Sequence, residues 1–254
     1  MATNQLQPMS VGEILDAALN LMRSNFSVLI AIVVACQGVQ AVLGVYVEQA
    51  GGAREHPLLY VVTQILTYIG YLLTTGATVY VVSESLLGRQ PTFAQALAFA
   101  RRKMGRIFFS GLAAGLVTVL AFLLLIIPGI VVACGFAVTV QAAVLEDLPD
   151  ATSALGRSWD LTKGYKGKAL TLGFVMFVLL FLVVLGLGLA LGIVAAFIKF
   201  LTVPALIAVA LLSLLIYPLM SCTFTLLYYD LRVRKEAFDL ELLSQHLGAL
   251  AAGG

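Results

Sequence analysis

Chemistry needs nucleophiles, titratable pairs or metal-ligating clusters at workable spacing, and this chain offers few. Its two histidines, His56 and His246, lie far apart in sequence, and neither has an H-E-x-x-H partner. No G-x-S-x-G elbow and no Walker loop occurs, so serine-hydrolase and nucleotide-phosphate chemistry have no carrier. Cys36, Cys134 and Cys222 each sit inside an apolar run without C-x-x-C spacing, which reads as three small hydrophobes. Asp147 and Asp150 flank a Leu-Pro step and read as a span end and a helix cap rather than an acid/base pair. No catalytic residue, cofactor or metal ligand is therefore expected, and the chain is not expected to be an enzyme.

The elements that hold these residues are set by composition. Of 254 residues, 61% are hydrophobic and 11% charged, with a mean hydropathy of +1.03. A soluble domain carries about 25% charged residues, so this chain cannot cover a water-facing surface. A soluble enzyme, a nucleic-acid-binding module and a disordered tail protein are excluded, and nucleic acid is not expected as a partner. The solvent that fits is lipid. The first apolar run starts only at Phe26 and has no small-residue cleavage site behind it, so the first span is expected to be retained.

A membrane helix takes about 20 mostly apolar residues, and six stretches serve: 26–47, 58–82, 107–127, 130–145, 169–198 and 203–229. Pro128 and Gly129 stand between the third and fourth, which predicts a tight hairpin there. Pro218 predicts a kink in the sixth. An even number of crossings gathers Arg23, Arg89, Arg101, Arg102, Lys103, Arg106, Arg157, Lys163, Lys166, Lys168, Arg232, Arg234 and Lys235 on one side. That is 13 of the 15 basic residues, leaving Arg54 and Lys199 opposite. Loops rich in Lys and Arg stay cytoplasmic, so both termini and the tail 230–254 are expected on the cytoplasmic side.

Three short segments precede the outward-going spans: 10–24, 92–104 and 150–163. Ser10 with Glu13 and Thr92 with Gln95 have capping-box spacing, and Val11, Ile14, Leu15, Ala18 and Met22 share one helical face. Superposing the starts aligns Leu15 with Leu97 and Leu155, and Phe26 with Phe108. The expected fold is an all-α membrane protein of six transmembrane helices with cytoplasmic interfacial amphipathic helices, laid out as three helix-hairpin repeats. Arg101, Arg102, Lys103 and Arg106 are candidates for contact with lipid headgroups or a partner.

Mid-membrane polar groups are neutral: Gln37, Gln40, Gln64, Thr67, Thr75, Thr118, Gln141 and Ser213. Interhelical hydrogen bonds account for them, and a proton-coupled pump would show carboxylates or cations at depth. Glu84, Glu146, Arg157, Asp160, Asp230, Arg232 and Arg234 fall at span ends and form a candidate cytoplasmic polar network. Gly111 with Gly115 and Gly188 with Gly192 make two G-x-x-x-G faces for helix packing, within the bundle or between protomers.

Three stretches carry a family resemblance: MSVGEILDAALNLMRSNFSVLI, IPGIVVACGFAVTVQAAVLEDLPDATSALGRSWDLTKG and LYYDLRVRKEAFDLELL. Together they resemble the bacterial YciC-like family, related to the membrane domain attached to some glycerophosphoryl diester phosphodiesterases. The Pro-Gly step, Glu146 and Arg157-Ser158 are the most specific part, while Ala237 stands where that family has glycine. The resemblance implies a polytopic protein of the bacterial inner membrane without a settled activity. No phosphodiesterase domain accompanies it here. The leading expectation is a non-enzymatic scaffold or subunit of a membrane complex, in contact with lipids and with its own copies or another membrane protein. A transporter or flippase for a lipid or small amphiphile is the alternative, and a phospholipid-headgroup enzyme a more distant one.

Overall fold

The computed structural model describes residues 8–198, 200, 202–214 and 216–236. Lys199, Ala237, His246 and the tail from 237 onward lie outside the described residues. Among the described residues there is no strand, and six helices are long and apolar enough to cross a membrane. The protein is an all-α, multi-pass membrane protein.

The chain opens with α1 (Val11–Ser24). Its capping box is formed: Glu13 N donates to Ser10 Oγ at 3.3 Å, and Ser10 N donates to Glu13 Oε2 at 2.6 Å. Asn25 separates it from the first span, built from α2 (Phe26–Val33), a π-helical turn (Val34–Gly38) and α3 (Val39–Gln49). A single turn, α4 (Gly52–Glu55), includes the second of two glycines at positive φ and leads into the second span, α5 (Pro57–Leu86). The π-turn places the Cys36 carbonyl where a Gly70 side chain would otherwise stand, and Gln37 Nε2 donates to Thr74 Oγ1 at 3.0 Å. A wide turn and a missing Cβ together let the first two spans approach closely.

The third span is α6 (Phe93–Leu124). Its Thr92–Gln95 box is formed, but the helix runs unbroken from the cap into the membrane. The expected separate segment 92–104 is thus the first three turns of a 32-residue helix. Neither proline nor a capping residue stands between Met104 and Ile107, and Gly105 alone does not end a helix. Gly76 of α5 meets Ala100 here: a Cβ at Gly76 would lie 3.2 Å from the Ala100 Cα.

The hairpin reverses at Leu125, ahead of the Pro128-Gly129 step. Leu125 is extended (φ −161°, ψ 150°), and Pro128 lies in the first turn of α7 (Ile126–Gly135). The reason is local: a proline ring collides with the carbonyl four residues back, here Leu124, so the preceding helix stops there. Pro218 acts in the same way. α11 (Thr202–Ser213) stops just ahead of Leu214, and α12 (Ile216–Glu236) carries Pro218 in its first turn. Among the described residues, helix ends at Ser213 and resumes at Ile216, close to where Pro218 predicts a kink.

The fourth span is interrupted between α7 and α8 (Thr139–Leu145). α9 (Ser153–Thr162) docks on that break. Ser158 Oγ donates to the Gly135 carbonyl at 2.8 Å and accepts from Val138 N at 3.3 Å, while Thr162 Oγ1 reaches the same carbonyl at 3.1 Å. The lone Trp159 lies over Gly135, where any Cβ would overlap the indole. Gly164 (φ +89°) then turns the chain into α10 (Lys166–Phe197), the fifth span.

The segments expected to lie in the lipid interface are therefore docked on protein. α1 packs along α12, and Ile14 and Ala18 enter one core with Leu226, Leu227 and Leu231. α9 buries Ala154, Ser158, Leu161 and Thr162. The second unit lacks the break that the first and third have. That core lies toward the cation-bearing ends of the spans, while most of residues 116–127 in α6 and α7 and most of α10 face outward.

Candidate functional site

The charged end of α12 is the centre of the candidate site. Residues four apart on a helix share a face, so Tyr228, Arg232 and Glu236 line one side and Asp230 with Arg234 another. Each side gathers its own ion cluster.

Asp230 is fully buried. Lys168, at the start of α10, donates to Asp230 Oδ2 at 2.5 Å, and Arg234 Nε donates to both carboxylate oxygens at 3.1 and 3.0 Å. Met9 closes the cluster through its main chain. Its N–H donates to Asp230 Oδ1 at 2.7 Å, and its carbonyl accepts from Lys168 at 2.5 Å and from Arg234 at 2.8 Å. One buried carboxylate thus ties Met9, just before the α1 cap, to the fifth and sixth spans.

Glu146, at the end of α8, organises the second cluster. Arg157 Nε of α9 donates to its two oxygens at 2.9 and 2.7 Å, and the Tyr228 hydroxyl donates to Oε1 at 2.7 Å. Arg157 also pairs with Glu236, which accepts from Arg232 at 3.0 Å. Hydrogen bonds to Glu236 and then to Glu146 hold the Arg157 guanidinium even more firmly protonated than usual, against the opposing effect of burial. Two carboxylates and two guanidiniums balance in charge. The arrangement suits a structural cross-link between α8, α9 and α12.

Of the seven residues expected in a single network, Glu146, Arg157 and Arg232 fall in this cluster, and Asp230 with Arg234 in the other. Asp160 is exposed and contributes only its main-chain carbonyl, which accepts from Lys235. Glu84 belongs to neither cluster; it pairs with the exposed Arg89 at 3.2 Å, a surface contact of about 0–1 kcal/mol. Lys168, Tyr228, Glu236 and the Met9 main chain were not anticipated. Glu236 was readable at four residues from Arg232, whereas Lys168 is indistinguishable in sequence from the other side-setting cations.

The basic run on α6 divides. Lys103 and Arg106 reach Asp147 at 3.3 and 3.8 Å, and Arg106 donates to the Glu146 carbonyl at 3.4 Å. Arg101 and Arg102 remain exposed. A methyl group added at Gly111, Gly115, Gly188 or Gly192 would meet nothing within 4 Å, so among the described residues these glycines pack no helix. The close contacts use Gly70, Gly76, Gly129 and Gly135 instead, none of them in a G-x-x-x-G pattern.

Two helix starts are capped by carboxylates. Hydrogen bonds from Ser10, main chain first, hold the Glu13 carboxyl below the 4.5 of an ordinary glutamate, and hydrogen bonds from Ser153, side chain first, lower the Asp150 carboxyl from its ordinary value. A depressed folded value means that the cap's contribution is complete above the unfolded pKa and is lost as pH falls through the folded one. Protection of the first-turn amides of α1 and α9, measured against unstructured-peptide exchange rates at the same pH, is expected to fall as pH drops below about 4. Glu13→Gln is expected to flatten that response in α1 alone.

Two hollows face the membrane. A groove of about 660 Å³ between α5 and α6 is lined almost wholly by apolar groups, among them Ile65, Leu72, Met104 and Phe108. A smaller hollow of about 240 Å³ between α5, α8 and α12 is more polar, lined by Thr74, Thr75, Gln141, Tyr217 and Ser221 among others. Among the described residues no group of three His, Cys, Asp or Glu lies close enough to hold a metal ion.

No protein-family model matches this chain, and no curated protein or solved structure matches it either.

Proposed function

We propose that this chain is a non-enzymatic subunit or scaffold of a complex in the inner membrane of a bacterium, with both termini cytoplasmic. The carrying observation is α10. It is the most apolar of the six spans, yet only 6% of its apolar stretch is buried inside the protein, against 50% for α5. Gly186, Gly188 and Gly192 stand on it in open space. Small residues without a neighbour are where a second transmembrane helix can approach most closely.

The ion clusters support the orientation. Contacts among Lys103, Arg106, Arg157, Lys168, Arg232 and Arg234 and their acidic partners bring cations from four segments to one end of the bundle, as a cytoplasmic face requires. The same contacts argue against a headgroup enzyme, because Glu146 and Asp230 are each committed to a cation. The resemblance to the YciC-like family implies a polytopic protein without a settled activity, which is compatible with a scaffold role. The polar hollow favours a second reading, transport of a lipid or small amphiphile.

Extraction in native lipid discs followed by mass measurement tests the leading reading. The expected mass exceeds the 27.0 kDa of one chain, through a second copy or a second polypeptide. Gly188→Leu and Gly192→Leu are expected to reduce it to one chain. A strict monomer from the unaltered protein would sink the proposal.

A further inference from the structure

The hollow between α5, α8 and α12 combines three properties that ordinary helix packing does not explain. The first is unsatisfied polarity. Gln141 is 5% exposed, and its Oε1 has no hydrogen-bond partner; the hydroxyl of Ser221, which lines the same space, has none either. Buried polar groups in a membrane interior find partners, since each orphan costs about 1–3 kcal/mol. The neighbouring threonines do not supply them: Thr74 Oγ1 accepts from Gln37, and Thr78 Oγ1 donates to the Thr74 carbonyl.

The second property is neutrality. The lining contains no Asp, Glu, Lys, Arg or His. Thr74 and Thr75 lie near the middle of α5, where an unpaired phosphate or ammonium would be costly. The third is a side entrance. Tyr71 and Tyr217 meet edge to face at the rim, with ring centroids 6.0 Å apart, and are 40% and 39% exposed. At mid-span that exposure is to hydrocarbon rather than water.

We propose that this hollow binds the uncharged alcohol end of a membrane lipid. Gln141 Oε1 can only accept, so the occupant must donate a hydrogen bond; the Ser221 hydroxyl can then donate to the occupant's oxygen. A ketone, ester or ether group lacks the donor, and a phosphate carries the wrong charge. The space of about 240 Å³ takes a headgroup of glycerol size while the apolar tail leaves past Tyr71 and Tyr217 into the bilayer. Both a diacylglycerol and a long-chain isoprenoid alcohol have this chemistry. The site stands independently of the subunit reading, because binding requires neither a partner protein nor translocation.

The test is photocrosslinking of the full chain in phosphatidylcholine vesicles, using a diazirine-bearing dioleoylglycerol. Labelling is expected on the peptides of α5 and α12 that rim the hollow. It should be displaced by unlabelled dioleoylglycerol, by a polyprenol or by both, which identifies the source. The 3-methoxy ether of dioleoylglycerol and dioleoyl phosphatidic acid should compete at least about tenfold less well, the equivalent of one good hydrogen bond. Gln141→Leu should weaken labelling by a similar factor. Ser221→Ala, which removes one oxygen and little volume, should weaken it severalfold with the thermal midpoint unchanged. Equal competition by the ether, labelling unaffected by both substitutions, or no displacement by either alcohol would each overturn the proposal and leave a hollow filled by water.

Discussion

Asp230→Ala is expected to be among the most damaging single substitutions in the chain, costing about 3–5 kcal/mol. The carboxylate is wholly buried and is the shared acceptor of Lys168, Arg234 and the Met9 main chain. Truncation leaves two cations side by side, with side chains only 12% and 25% exposed and no counter-charge between them. For a chain of this size that loss corresponds to a fall of about 6–20 °C in the thermal midpoint measured in detergent. Asp230→Asn keeps an acceptor for Met9 N and should cost less. Combining it with Lys168→Met should recover part of the loss, because removing both charges of a buried pair is far milder than removing one. Protease cleavage ahead of α1 should appear in Asp230→Ala before the rest of the bundle opens. A midpoint within about 2 °C of the unaltered protein would mean that the cluster does not hold the N-terminal segment.

What could be read from the residues follows the range of the interactions. The six spans, the Ser10–Glu13 and Thr92–Gln95 boxes and the i,i+4 pairing of Asp230 with Arg234 depend on neighbours within a turn, and all are present. The turn at Leu125 was readable in principle, since the Pro128 ring clashes with the Leu124 carbonyl and works against continuing the helix past Leu124. What escaped is set by tertiary contact. Met9 takes part through main-chain atoms that carry no residue signature, and Lys168 looks like any other cytoplasmic cation. α1 has the amphipathic pattern of an interfacial helix, but the pattern does not say whether its apolar stripe meets lipid or α12. Ser158 and Thr162 resemble ordinary helix polar residues until the interruption at Gly135 supplies a carbonyl for them.

The glycines give the sharpest contrast. Gly70→Ala is expected to destabilise the protein by about 2–3 kcal/mol, because the new methyl would meet the Cys36 main-chain carbonyl, which no rotamer change can move. Relief would require the π-turn of the first span to shift, and the Gln37–Thr74 hydrogen bond ties that turn to α5. Gly188→Ala should do the opposite in the isolated chain. Its surroundings are open, and alanine in a helix interior is favoured over glycine by about 0.5–1 kcal/mol. Unfolding in mixed micelles, under conditions where the protein is a single chain, measures both. The comparison then extends to the assembled state. If Gly188→Ala stabilises the lone chain but weakens the complex in lipid discs, the glycine faces a neighbour, and its conformational cost within the chain is offset across that contact. Should Gly70→Ala prove harmless, the close approach of the first two spans, and with it the alignment of Thr74 beside the polar hollow, would have to be redrawn.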